Sequence, residues 1–183
     1  WLLILATMFG NGGIFCWYSY VNPMLIHVSG FPEQSITALM MLSGFGMVVG
    51  NLLSGRLSDR FMPGRVAATV QGSVAVILLL MFFLSGHRFP AALLMFLCTT
   101  GLFALSSPQQ ILLIRYSKGG ELLGAASVQV AFNLGNAIGA YMGGLPLQAG
   151  LGYQYPALIG APFALVGFVL LTIFYRKYEL RRA

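Results

Sequence analysis

Asn133-Leu134-Gly135-Asn136-Ala137-Ile138-Gly139-Ala140-Tyr141-Met142-Gly143-Gly144 decides the fold. Gly135, Gly139 and Gly143 recur at every fourth residue, so on a helix they stack on one face of an otherwise apolar span, and Gly144 widens the patch. Small residues at that spacing let two helix backbones touch, the kind of contact that joins membrane helices where lipid supplies no hydrophobic drive. Asn133 and Asn136 share the span, and an amide in a bilayer is costly unless it meets a partner or water. The span is therefore expected to border both a neighbouring helix and a polar cavity.

Composition extends this reading to the whole chain. The 183 residues are 58% hydrophobic and 8% charged, with a mean hydropathy of +0.83, whereas a soluble domain carries about 25% charged residues. A hydrocarbon core of roughly 30 Å needs about 20 apolar residues per helix. Six stretches meet that need, near residues 1–27, 36–55, 66–85, 90–114, 122–147 and 155–175. The expectation is an all-α, polytopic membrane protein with one transmembrane bundle over residues 1–183. The chain opens on Trp1 with neither an initiator methionine nor a basic leader, so it reads as a piece of a longer polypeptide.

Charge placement sets an expected orientation. Arg56, Arg60 and Arg65 follow span two, Arg115 and Lys118 follow span four, and Arg176, Lys177, Arg181 and Arg182 follow span six; only Arg88, beside His87, lies on the other side. The positive-inside bias then puts both chain ends and the two basic loops in the cytoplasm. The net charge of +6 reports topology and contact with anionic lipid. Nucleic acid is not an expected partner, because these charges are spread over loops with no groove of stacking aromatics. Cys16 and Cys98 fall inside spans and form no Cys-x-x-Cys pair, so no disulfide, metal or cofactor is expected. The chain lacks G-x-S-x-G and His-Glu-x-x-His, which argues against an intramembrane protease and against enzyme activity. It also lacks the regularly spaced arginines of a voltage sensor.

The two halves of the chain echo each other. Gly13-Ile14-Phe15 in span one matches Gly101-Leu102-Phe103 in span four at an offset of 88 residues (101 − 13), and Gly50-Asn51 matches Gly135-Asn136 at 85 (135 − 50). A three-plus-three repeat follows, the inverted form of which recurs in secondary transporters.

Between spans two and three stands Gly55-Arg56-Leu57-Ser58-Asp59-Arg60-Phe61-Met62-Pro63-Gly64-Arg65. It resembles the loop motif of the major facilitator superfamily, G-x-L-[AS]-D-[RK] followed by glycine and further basic residues, which links the second and third helix of each six-helix half. It departs from that motif in placing Phe61, Met62 and Pro63 where the family usually has a single residue. Gly55 would permit close helix approach, and Asp59 is expected to accept from Arg60 or Arg65 and from amides at a helix N-terminus. The resemblance implies a cytoplasmic gating motif of Gly55, Asp59, Arg60 and Arg65 that latches one conformational state. The run from Gly119 through Ala126 into Asn133 and Gly144 is similar to the penultimate helix of bacterial sugar and drug efflux carriers of the AraJ type, and residues 7–24 and 101–106 also fit that group. The resemblance implies the C-terminal six-helix half of a twelve-helix carrier in the bacterial inner membrane. Such a half works by alternating access against an N-terminal six-helix half, in efflux of a sugar or small drug-like solute.

Candidate contacts to that solute come from periodicity. Asn11, Phe15, Tyr18 and Asn22 fall at i, i+4, i+7 and i+11; Thr99, Phe103, Ser106 and Gln110 repeat the pattern in span four, and Gln129, Asn133 and Asn136 continue it in span five. Aromatic faces with uncharged amides and hydroxyls suit a neutral or amphipathic solute. The family places the first and fourth helices of each half around the central cavity. Hydrogen bonding between helices is the competing role for Ser106, Ser107 and Asn51. Trp17, Tyr20 and the methionines read as lipid-facing or gap-filling. Pro108 is expected to kink span four and Pro162 to do the same in span six. Glu33, Asp59, Glu121 and Glu179 all lie in loops or at span ends, whereas proton coupling needs an ionisable group in the membrane. Proton antiport would then take its coupling residue from the N-terminal half, with His27 interfacial. An isolated half is expected to self-associate through its glycine-rich faces. A six-helix scaffold or receptor that transports nothing is the alternative class.

Overall fold

The computed structural model describes residues 1–117 and 119–181. Lys118 and Arg182, two of the charges used to orient the chain, lie outside the described residues. The architecture is all-α: α1 (Leu2–Tyr18), α2 (Val21–His27), α3 (Ile36–Arg60), α4 (Pro63–Leu84), α5 (Arg88–Ala104), α6 (Ser106–Arg115), α7 (Glu121–Gln148) and α8 (Tyr155–Phe174), with a 3-10 turn at Glu33–Ser35 and a π-helical turn at Tyr175–Glu179. They join into six segments long and apolar enough to cross a membrane: Leu2–His27, Glu33–Arg60, Pro63–Leu84, Arg88–Arg115, Glu121–Gln148 and Tyr155–Glu179. α3 continues to Arg60 because nothing in residues 56–60 breaks a helix, and Pro63 opens α4 in the first turn, where its missing N–H leaves no intrahelical bond unmade.

Spans one and four are each broken. The turn at Leu105 separates α5 from α6 three residues before Pro108, which cannot donate to the carbonyl of Ala104. Span one breaks the same way at Ser19 and Tyr20, three residues before Pro23. This second break is absent from the sequence-based expectation, and its proline lies 85 residues (108 − 23) from Pro108. α8, by contrast, runs unbroken through Pro162.

α1 lies between α7 and α8, α5 lies between α3 and α4, and α4 packs on α8. Exchanging span one with four, two with five and three with six carries the α1–α7 seam onto α3–α5, the α1–α8 seam onto α4–α5, and the α4–α8 seam onto itself. Burial follows the same exchange: of an apolar 18-residue stretch in each span, 56% and 50% of residues are buried in spans one and four, 22% and 28% in two and five, and 44% and 39% in three and six. The seams themselves are built on small residues. A Cβ on Gly135, Gly139 or Gly143 would strike the carbonyls of Met8, Gly12 and Cys16, so α7 meets α1 backbone to backbone. Beside them Tyr20 sets its hydroxyl over Gly144 and donates to the Ala140 carbonyl at 2.9 Å. α3 meets α5 in the same manner, with Gly46 and Gly50 against the carbonyls of Phe96 and Thr100.

Two buried side chains fix the centre. Gln71 of α4 donates to the carbonyls of Gly10 (3.4 Å) and Ala164 (3.3 Å), tying α4 to α1 and α8 at once. Trp17 is fully buried, not lipid-facing, with its indole N–H directed at the Met24 sulfur at 3.1 Å; the break after Tyr18 folds Met24 back toward it. At the opposite end from the Asp59 loop, Ser29 donates to the Ser85 carbonyl at 2.7 Å and Arg88 to that of Gly30, joining two loops.

Candidate functional site: a polar cleft between α1, the broken span four and α7

Six of the eleven stripe residues meet at one cleft of about 260 Å³: Asn11 and Phe15 from α1, Phe103 and Ser106 from either side of the break in span four, and Gln129 and Asn136 from α7. Leu102 and Phe132 complete its wall and carry no polar signal that periodicity could have used. Asn11 is almost wholly buried and donates from Nδ2 to Oδ1 of Asn136, while its own Oδ1 has no partner. An amide oxygen buried without a partner in a low-dielectric setting is an acceptor whose demand is unmet. Ser106 opens α6 directly after the turn and donates to the Phe103 carbonyl at 2.8 Å, leaving its oxygen able to accept. The cleft thus offers three aromatic rings and several neutral polar groups, without a carboxylate or a basic side chain among its lining residues. At about 260 Å³ it falls below the roughly 300–1,000 Å³ of a complete ligand pocket, as one wall of a larger cavity would.

The other five stripe residues lie elsewhere. Thr99 is buried in the α3–α5 seam, its hydroxyl bonded to the carbonyls of Met95 and Phe96 and touching Gly46. Tyr18 is half-buried and packs edge-on against Phe15 at 5.6 Å. Asn22 and Gln110 are exposed beyond the two breaks. Asn133 is exposed on α7, where it accepts from Gln129 at 3.4 Å.

The family model of the major facilitator superfamily matches residues 1–182. The chain belongs to the major facilitator superfamily. AraJ of Escherichia coli (strain K12) is 50% identical over 185 positions, an alignment that takes in 100% of this chain and 46% of AraJ. The inner membrane transport protein YdhP of the same strain is 34% identical over 93% of this chain and 43% of its own length. A protein named "Probable sugar efflux transporter" from Pasteurella multocida (strain Pm70) is 26% identical over 96% of this chain and 43% of its own. The chain spans about half the length of the curated relatives it matches. It is a multi-pass member of a transporter superfamily.

The major facilitator loop departs from its expected wiring. Asp59 is exposed and makes no hydrogen bond or ion pair among the described residues, with Arg60, Arg65 or any helix amide. Phe61 is extended (φ −126°, ψ 161°) and the inserted residues carry the chain away from α3 before Pro63 starts α4. The amide of Gly64 is taken instead by Glu179, whose Oε2 accepts it at 2.8 Å. A Cβ on Gly64 would collide with that carboxylate, so the close cap needs glycine there. Arg115 adds a favourable charge to Glu179, and both line a cavity of about 390 Å³ with Asp59 and Arg60. Tyr116 holds the tail further, packing edge-on to Phe174 at 4.9 Å and donating to the Tyr178 carbonyl at 3.1 Å. Arg65 lies instead beside Leu57, Phe61, Thr69 and Val70. A Cβ on Gly55 would meet nothing within 4 Å among the described residues, so no helix described here packs closely on it. Sequence reasoning missed Glu179; its one signal was a lone acid in the basic run Arg176-Lys177-Tyr178-Glu179-Leu180-Arg181.

Proposed function

We propose that the chain is the C-terminal six-helix half of a twelve-helix secondary transporter of the inner membrane, which exports a neutral or amphipathic small solute such as a sugar by alternating access. The observation that carries this is the one-sided cleft, in which three polar and aromatic stripes converge at spans one, four and five. Spans two and five, the least buried of the six, are the surfaces on which an N-terminal half would rock. Asp59 and Gly55, both unengaged here, are free to latch against that half on the cytoplasmic side in the orientation favoured by the positive-inside bias. The names of relatives among sugar efflux transporters support the direction and solute class. The fold exchange of spans one to three with four to six is what an inverted repeat requires.

Labelling tests the cleft directly. In the full-length carrier, Ser106→Cys is expected to react with a small maleimide, and a transported sugar should slow that reaction several-fold. Cys16 and Cys98 are fully buried and stay silent. Labelling that no transported solute slows would remove the cleft from the pathway.

Coupling by proton antiport belongs, in this reading, to the N-terminal half, since the cleft holds no carboxylate. His27 is exposed and stacks on Tyr153 at 5.3 Å between ring centres. His27→Ala should leave proton-driven efflux from everted vesicles within twofold of the unaltered carrier; a collapse of transport with normal protein level would place the coupling group in this chain instead.

A further inference from the structure

A groove of about 550 Å³ runs between α4 and α8, remote from the cleft and lined almost without polar atoms. Gly72, Ala75 and Ala161 form its floor, and Val76, Leu79 and Leu165 its rims, each rim residue 44–57% exposed toward the outside of the bundle. Phe168 lies across Gly72, its ring 3.0 Å from where a Cβ would stand.

Beyond the groove's own lining, the two helices that form it lead to an arginine each at one end. Arg65, Thr69, Gly72, Val76 and Leu79 follow one another at four- and three-residue steps along one face of α4. From Thr69 to Leu79 the helix rises ~15 Å, which is half of a hydrocarbon core of roughly 30 Å, and Arg65 stands one turn further out. On the other side, Phe168 and Thr172 step by four along α8 toward the same end, and Arg176 follows in the π-helical turn. Both arginines are exposed, and neither makes a hydrogen bond or ion pair among the described residues. Thr172 is satisfied by the Phe168 carbonyl at 2.8 Å, so it adds no competing demand.

We propose that this groove holds an acyl chain of an anionic phospholipid, with the phosphate between Arg65 and Arg176. A guanidinium presents a planar fork of donors suited to phosphate oxygens, and two unpaired ones at headgroup depth select net negative charge over a zwitterion. Charge also decides against a second copy of the chain as occupant. A two-fold axis along the membrane normal would bring each arginine to the same depth as its like-charged counterpart. The inference needs only that both arginines open on one leaflet, so it stands apart from the solute and the direction of transport.

The test is native mass spectrometry of the full-length carrier, delipidated in mild detergent and then offered equal phosphatidylglycerol and phosphatidylcholine. The unaltered protein should keep phosphatidylglycerol at least tenfold over phosphatidylcholine. The R65Q/R176Q double variant should lose that preference to within twofold at an unchanged unfolding midpoint, and Val76→Trp should lose retention of both lipids. Should Val76→Trp fail to fold, Leu79→Trp fills the same groove from its other end. Equal retention by the unaltered protein, a preference that survives R65Q/R176Q, or a dimer that the tryptophan variant splits would each overturn the proposal.

Discussion

Gly139→Leu is expected to remove the folded carrier from detergent extracts. α7 and α1 touch backbone to backbone at this residue, and the first carbon of any side chain would occupy the place of the Gly12 carbonyl. α1 cannot retreat, because on its far side Gly13 meets Gly160 and Gly10 meets Gly167 with equal closeness. Adding methylenes to a packed core costs about 1–3 kcal/mol even where side chains can adjust. Here only whole helices can move, so a cost of about 3 kcal/mol or more is expected against a total of roughly 5–15 kcal/mol. The readout is the monodisperse fraction of full-length protein in size-exclusion chromatography after graded heating. Gly86→Ala, at a position where a Cβ would meet open space, should match the unaltered protein. A normal profile for Gly139→Leu would mean that α1 and α7 do not meet as described.

The second large effect concerns transport and not folding. Asn136→Leu should lower efflux of the transported solute at least tenfold in the full-length carrier, at an unchanged membrane level. The substitution removes the acceptor of the Asn11 amide and leaves that amide buried without a partner. Such a loss costs about 1–3 kcal/mol, and it falls at the centre of the cleft. Asn11→Leu should do the same, and the double variant should be no worse than either single one, because both remove a single pair. Initial efflux rates from loaded cells decide the matter. Losses that multiply in the double variant would show that the two amides act separately.

The seam of α1 and α7 was legible because it needs nothing beyond a four-residue spacing on one helix. The stripes were legible as far as the helices stay straight. Asn11, Phe15 and Phe103 keep their place in the cleft, and Ser106, the first residue after the break at Leu105, stays with them, while Asn22 and Gln110, further past the breaks at Tyr20 and Leu105, do not. Pro23 lies close to the C-terminal end of its span, so its effect on the preceding turn was easy to pass over, although Pro108 stands in the same relation to its own break. Thr99 has the right period and the wrong neighbour: its hydroxyl is spent on its own helix. Gln71 and Glu179 were out of reach for another reason. Their partners are 61 to 115 residues away, and no local pattern encodes a bond of that span.

The cap on Gly64 has a consequence for how the protein is made. Glu179 leaves the ribosome 115 residues after the amide it serves, a wait of roughly 6 to 23 s at ordinary rates of synthesis. Through that interval the first turn of α4 has no carboxylate to receive it. α1 waits in the same way, since the helices that flank it, α7 and α8, are translated after the other six described here. Assembly of this bundle therefore runs backward along the chain: α8 and the π-helical turn complete contacts that α1 and the first turn of α4 have held open since insertion.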